Sequence, residues 1–157
     1  MTIGLPNAEE VSRALSALLR REVEASPARS VAAKSLVVAG LYHDGTGKLL
    51  GAVAADLGFA AHAGACFSLI PADAAEDCVA AGALDEGMRE NFAEVLNVAS
   101  RLFTQSGGAR VALKSSIFPP TTLPPEALPA ADPKRGCAFE ISIDGYGSGL
   151  VCLRLLA

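Results

Sequence analysis

The sequence predicts an α+β domain of the broad α/β class, in which helices pack on mainly antiparallel strands in the order α-ββ-αα-βββ. Three observations lead there. A capped amphipathic helix opens the chain, an Asp-Gly turn joins two β-rich segments, and a second hairpin closes the chain. Hairpin neighbours pair antiparallel, and an amphipathic helix needs a sheet or another helix to cover its apolar stripe. The 157 residues suit one domain spanning 1–157, because domains usually run ~100–150 residues.

Asn7 is placed as an N-cap, with Glu10 at the capping-box spacing. Val11, Leu15, Leu18 and Leu19 then mark a helix to about Glu24, with Arg13, Arg20 and Arg21 on its wet side, ended by "SPARS". "SLVVAGLY" and "KLLGAVAA" are strands flanking "HDGTG", which contains the Asp-Gly hairpin signal. The "GTGK" in that turn is not a phosphate loop, because Tyr42 stands where the motif needs its first Gly. Asp56 is placed to cap a short helix to about Leu69, which Pro71 ends. Gly58 and Gly64 each weaken such a helix by roughly 1 kcal/mol relative to Ala, so another element is expected to pack closely there.

"PADAAEDCVAAGALDEG" reads as a small acidic connection, followed by a long helix from about Leu84 to Gln105 that "SGG" (106–108) terminates. A strand near "RVALKSSIF" precedes the loop 119–136, which carries six prolines and reads as a flexible connector. The closing hairpin pairs "CAFEISI" with "LVCLRLL" across "DGYGSG".

Composition narrows the function classes. A net charge of −4, with no run of Lys or Arg, gives no electrostatic footprint for nucleic acid or anionic lipid. The most apolar window, Leu49 to Pro71, is interrupted by Asp56 and His62. A central Asp costs about 2.5–3.5 kcal/mol in a membrane span, more than Ala and Val offset. With no signal-peptide pattern at the start, a soluble cytoplasmic protein without membrane contact is expected. Cys66, Cys78, Cys137 and Cys152 form no C-x-x-C pair and sit among apolar residues, so they read as core residues; no metal site is expected.

The long helix is the unusual element. Leu84, Met88, Phe92, Val95, Ala99, Leu102 and Phe103 fall on one side at helical spacing. Glu90, Glu94, Asn97 and Arg101 fall within about 60° of one another on nearly the opposite side. Like charges four apart cost a few tenths of a kcal/mol, and Asn in a helix interior costs several tenths more. Lys at 94 and Ala at 97 would suit a helix selected only for stability.

That stripe resembles the signature of the CheC/CheX/FliY group of chemotaxis phosphatases: an acid or Ser, three residues, Glu, two residues, Asn, then 22 residues to a Pro. Glu90, Glu94, Asn97 and Pro120 stand at those places. The order of elements over nearly the whole chain is also similar to that family. A single motif, in the later long helix, is similar to the CheX type; the first helix, "EEVSRALSALLRREVE", has no Glu-x-x-Asn. Two departures stand out. Leu96 replaces the usual Gly before the Asn, and Arg101 occupies the position of a Gly four residues beyond it.

The resemblance implies an aspartyl-phosphate phosphatase, a hydrolase of two-component signalling. Its substrate would be the phosphorylated receiver domain of a CheY-like response regulator. Asn97 would orient the attacking water, and Glu94 would contact the receiver's lysine. Glu90 and Arg101 would meet the partner. No cofactor is expected in this chain, the Mg²⁺ being the receiver's. A homodimer joined through sheet edges is a further implication. The alternative is a non-catalytic CheX-like module that binds a receiver or a flagellar-switch component, with Arg101 crowding the close approach that chemistry needs.

Overall fold

The computed structural model describes residues 2–106 and 110–156. Its architecture is α+β. A six-stranded sheet carries helices on one face and an irregular loop on the other, beside a two-stranded ribbon. All pairings are antiparallel, as expected.

The chain begins with a short strand, β1 (Thr2–Gly4), then α1 (Ala8–Leu19). The Asn7 capping box forms in both directions, with bonds of 2.9 and 2.8 Å. The helix ends five residues earlier than the sequence predicts. Arg20 turns left-handed (φ 53°), and residues Val23–Pro27 become β2 instead. Tertiary pairing overrides helix propensity here. β2 pairs with β7 (Gly136–Ile143) and buries Val23, while Ser16 and Ser12 on α1 accept the backbone N–H of Val23 and Ala25.

The expected hairpin is present as β3 (Leu36–His43) and β4 (Leu49–Asp56). Its turn is held by Asp44, whose carboxylate accepts from Thr46 and Lys48. Asp56 caps α2 (Leu57–Phe67), accepting from the Phe59 N–H at 2.8 Å. Both glycines of α2 sit at close approaches. A Cβ at Gly58 would stand 3.0 Å from the Ser148 carbonyl of β8 (Ser148–Leu155), and one at Gly64 would stand 3.1 Å from Met88 Sδ.

The acidic connection is in fact a helix, α3 (Ala72–Ala81), started after Pro71 and ended by Gly82 at φ 74°. It buries Ala75 and Cys78 against Ala61 and Ala65 of α2. The long helix is shorter than expected. α4 covers Glu86–Val98, a 3-10 turn covers Ala99–Leu102, and β5 (Thr104–Ser106) pairs with β1. Gly107 and Gly108, expected to end that helix, lie outside the described residues. β6 (Ala112–Ile117) completes the sheet order β2-β7-β8-β4-β3-β6.

The Pro-rich loop is a structural cover rather than a flexible connector. Strands β3, β4 and β8 are apolar on both faces. Val38, Tyr42, Val53, Ala55, Val151 and Leu153 meet the helices, while Leu36, Ala39, Leu41, Ala52, Ala54 and Cys152 need another lid. Leu123 and Ala127 of the loop supply it, and Arg154 pins the loop by donating to the carbonyls of Pro125 and Leu128 at 2.9 and 3.0 Å. The equivalent face of β2 and β7 carries Glu24, Ser26, Glu140 and Ser142, stays exposed and needs no cover. The four cysteines are free thiols. Burial pushes Cys137 and Cys152 up to about 11. Among the described residues, no helix is long and apolar enough to cross a membrane.

Candidate functional site

The site is built on α4. Asp85 caps the helix by accepting from the Met88 N–H at 2.8 Å. Met88, Phe92, Val95 and Leu96 point inward and are buried. Met88 fits against Gly64, and Phe92 meets Phe59 edge-on at 5.8 Å between ring centres. Each fully buried apolar side chain of this size holds about 1.5–3 kcal/mol. The inward line therefore fixes the rotation of the helix about its axis.

That rotation turns Glu90, Glu94 and Asn97 outward together, all three exposed. Among the described residues, no hydrogen bond or ion pair engages their side chains or that of Arg101. Two carboxylates and an amide thus stand free on one face, with donor and acceptor capacity unspent. Arg101 is exposed and lies in the 3-10 turn that follows α4, where each residue advances about 120° instead of 100°. The members at i, i+4 and i+7 lie on α4, and the i+11 member lies in the turn beyond it.

Beside the stripe runs a cleft of about 550 Å³ between α4 and β6, lined by Glu86, Arg89, Glu90, Ala93, Ser116 and Phe118. The Arg89 guanidinium lies 5.3 Å from the centre of the Phe118 ring. Sequence reading missed Arg89 and Phe118, because helical spacing speaks only for α4 itself and not for what strand lies alongside. An aromatic residue directly before Pro119-Pro120 was the available signal. Pro120 does not line this cleft; it lines a second one, of about 430 Å³, with Lys34, Leu36 and Leu123.

Chemically, the stripe can position and pair but cannot form a covalent intermediate of the Ser, Cys or His kind, since none of those residues belongs to it. Among the described residues, no group of three or more His, Cys, Asp or Glu is disposed to hold a metal ion.

No family model matches this chain, and no curated protein sequence matches it. Among solved structures it is similar to FliY from Thermotoga maritima, at 18% identity and a TM-score of 0.48, covering 93% of this chain and 82% of that one. The FliM middle domain from H. pylori follows at 13% and 0.48, covering 94% and 84%. CheX in a CheX–CheY–BeF₃–Mg²⁺ complex from Borrelia burgdorferi is similar at 13% and 0.42, covering 98% and 99%. At this level the likeness concerns overall arrangement, and nothing about the site rests on it. The structural neighbours include members of the CheC/CheX/FliY group, the group that the spacing of Glu94, Asn97 and Pro120 resembles.

Proposed function

We propose that this chain is a CheX-like phosphatase that removes the aspartyl phosphate of a CheY-like receiver domain. One observation carries the reading: Glu94 and Asn97 stand exposed and unengaged on one face of a helix whose opposite face is locked in the core. Phosphoryl transfer asks little covalent chemistry of a protein, and positioning with charge placement does most of the work. The Asn97 amide can hold a water by its carbonyl oxygen and its N–H groups at once. That water attacks phosphorus in line, the bond from phosphorus to the aspartyl oxygen breaks, and the products are inorganic phosphate and a free carboxylate.

The Glu94 carboxylate pairs with a lysine on the receiver, a charge-assisted contact that fixes register. Glu90, one turn earlier, adds a second acidic contact on the same face. The phosphoryl group and its Mg²⁺ belong to the receiver, so this chain contributes only side chains that orient. A receiver-binding module without chemistry is the second reading, favoured by exposed Arg101 close beyond Asn97.

The test is loss of label from phosphorylated receivers, with and without the protein. Asn97→Ala should abolish the acceleration while melting near the wild-type temperature, because an exposed residue holds little core energy. Glu94→Ala should weaken receiver binding as well as rate. If both variants keep full activity on a responsive receiver, the assignment of the motif is wrong. Binding without acceleration by the wild-type chain would establish the second reading.

A further inference from the structure

An amide that positions a water is only as good as the backbone that carries it, and displacements near 1 Å can cost about 10²-fold in rate. Asn97 occupies a weak place in this respect. α4 ends at Val98, and the Ala99 N–H is shared between the carbonyls of Leu96 and Val95 where α geometry gives way to a 3-10 turn. Carbonyls in the last turn of a helix lack full intrahelical partners. Left so, the end of the helix would fray at the residue that does the chemistry.

The fold closes that gap from below. The Tyr42 hydroxyl, on central strand β3, donates to the Leu96 carbonyl at 2.6 Å, inside the core and one residue before Asn97. Tyr42 has no solvent exposure, and its ring meets Phe103 edge-on at 5.9 Å. Phe103 follows the 3-10 turn, so one tyrosine braces both sides of the junction. Gly40 leaves the room required: a Cβ there would stand 3.0 Å from the Tyr42 hydroxyl oxygen and 3.3 Å from Leu96 Cδ2. Burial pushes the Tyr42 pKa far up, so the hydroxyl stays protonated and donating.

We propose that Tyr42 is a positioning residue of the site: through the Leu96 carbonyl, its buried hydroxyl fixes the end of α4 and so the direction in which Asn97 is presented to the receiver. The inference rests on the function proposed above and names a device that serves it. Tyr42 itself touches no partner.

The experiment compares Tyr42→Phe with wild type and Asn97→Ala, using the full chain and a phosphorylated receiver that it binds. Receiver affinity should stay within about twofold, while the saturating dephosphorylation rate falls by about tenfold or more. Backbone amides of Val98 to Leu102 should exchange with solvent faster than in wild type. A wild-type saturating rate for the variant, or a rate lost only in proportion to affinity, overturns the proposal. If Tyr42→Phe does not fold, Gly40→Ala takes its place, since its methyl group presses on the same hydroxyl; unchanged saturating rate there also overturns it. Should the wild-type chain bind receivers without dephosphorylating any, the proposed function fails separately. Amide exchange then decides: faster exchange in Tyr42→Phe supports the brace, and unchanged exchange rejects it.

Discussion

Leu69 should be worth more to the fold as glycine. It follows α2 at φ 58°, the left-handed position that ends many helices and that usually falls to Gly. Its N–H donates to the Cys66 carbonyl at 3.2 Å, and the Ile70 N–H donates to that of Ala65 at 2.9 Å, the paired bonds of a Schellman end. A branched residue in that conformation costs about 1–2 kcal/mol. Nothing visible offsets the cost, because the side chain is 85% exposed and contributes at most a few tenths of a kcal/mol of burial. Glycine loosens the unfolded chain and gives back about 0.4–1 kcal/mol. Leu69→Gly should therefore gain about 0.5–1 kcal/mol, or about 1–4 °C in Tm for a chain of this size. Urea unfolding at constant m-value measures it. Leu69→Ala is the control: it keeps a Cβ in the strained position and should gain nothing. A glycine variant less stable than wild type by 0.5 kcal/mol or more would refute the reasoning, and would mean that the leucine side chain makes contacts in the folded protein.

Two further outcomes are expected. Arg101→Gly should raise dephosphorylation of a bound receiver several-fold, since the exposed guanidinium lies close beyond Asn97, where the partner must approach; no rise, or weaker binding at low salt, would make Arg101 part of the docking surface instead. Leu123→Ala should cost about 2–3 kcal/mol in chemical denaturation, because the leucine covers the second face of the sheet with only 9% exposure; a loss under 0.5 kcal/mol would return the loop to the role of a connector.

What was legible in the sequence was local. The Asn7 capping box, the Asp-Gly hairpin, the Asp56 cap and the closing hairpin each depend on residues a few positions apart, and each formed. The close approaches at Gly58 and Gly64 were legible as well, because glycine in a helix needs a reason. The failures came where a distant partner decided. Val23 and Glu24 read as the end of the first helix and became the start of β2, because β7 offered an edge to pair with. The loop 119–136 looked mobile because its prolines break local structure, but the apolar second face of β3, β4 and β8 had to be buried by something. α3 was a different miss. Pro71 before it and Gly82 after it were readable boundary signals, outweighed by an acidic appearance. In the site, the spacing of Glu90, Glu94 and Asn97 was readable and the cleft beside them was not, since no periodicity in α4 specifies β6.

Under the function proposed here, α4 faces two opposed demands: its outward side chains need open water, and their backbone needs rigidity. α4 meets both by running two parallel lines along its length. The inner line is Met88, Phe92 and Leu96, held respectively by Gly64, by the Phe59 ring and by the Tyr42 hydroxyl with the space beside Gly40. The outer line is Glu90, Glu94 and Asn97. Each outer residue lies one or two positions beyond an inner one, so a change in an inner contact is felt outside as a rotation or translation of the neighbouring side chain. Packed interiors pass on such displacements because they hold few voids. Substitutions along the inner line should therefore disturb function before they unfold the protein, most strongly at the Leu96 end, where α geometry runs out and the Leu96 carbonyl is held by the Tyr42 hydroxyl together with the Ala99 N–H.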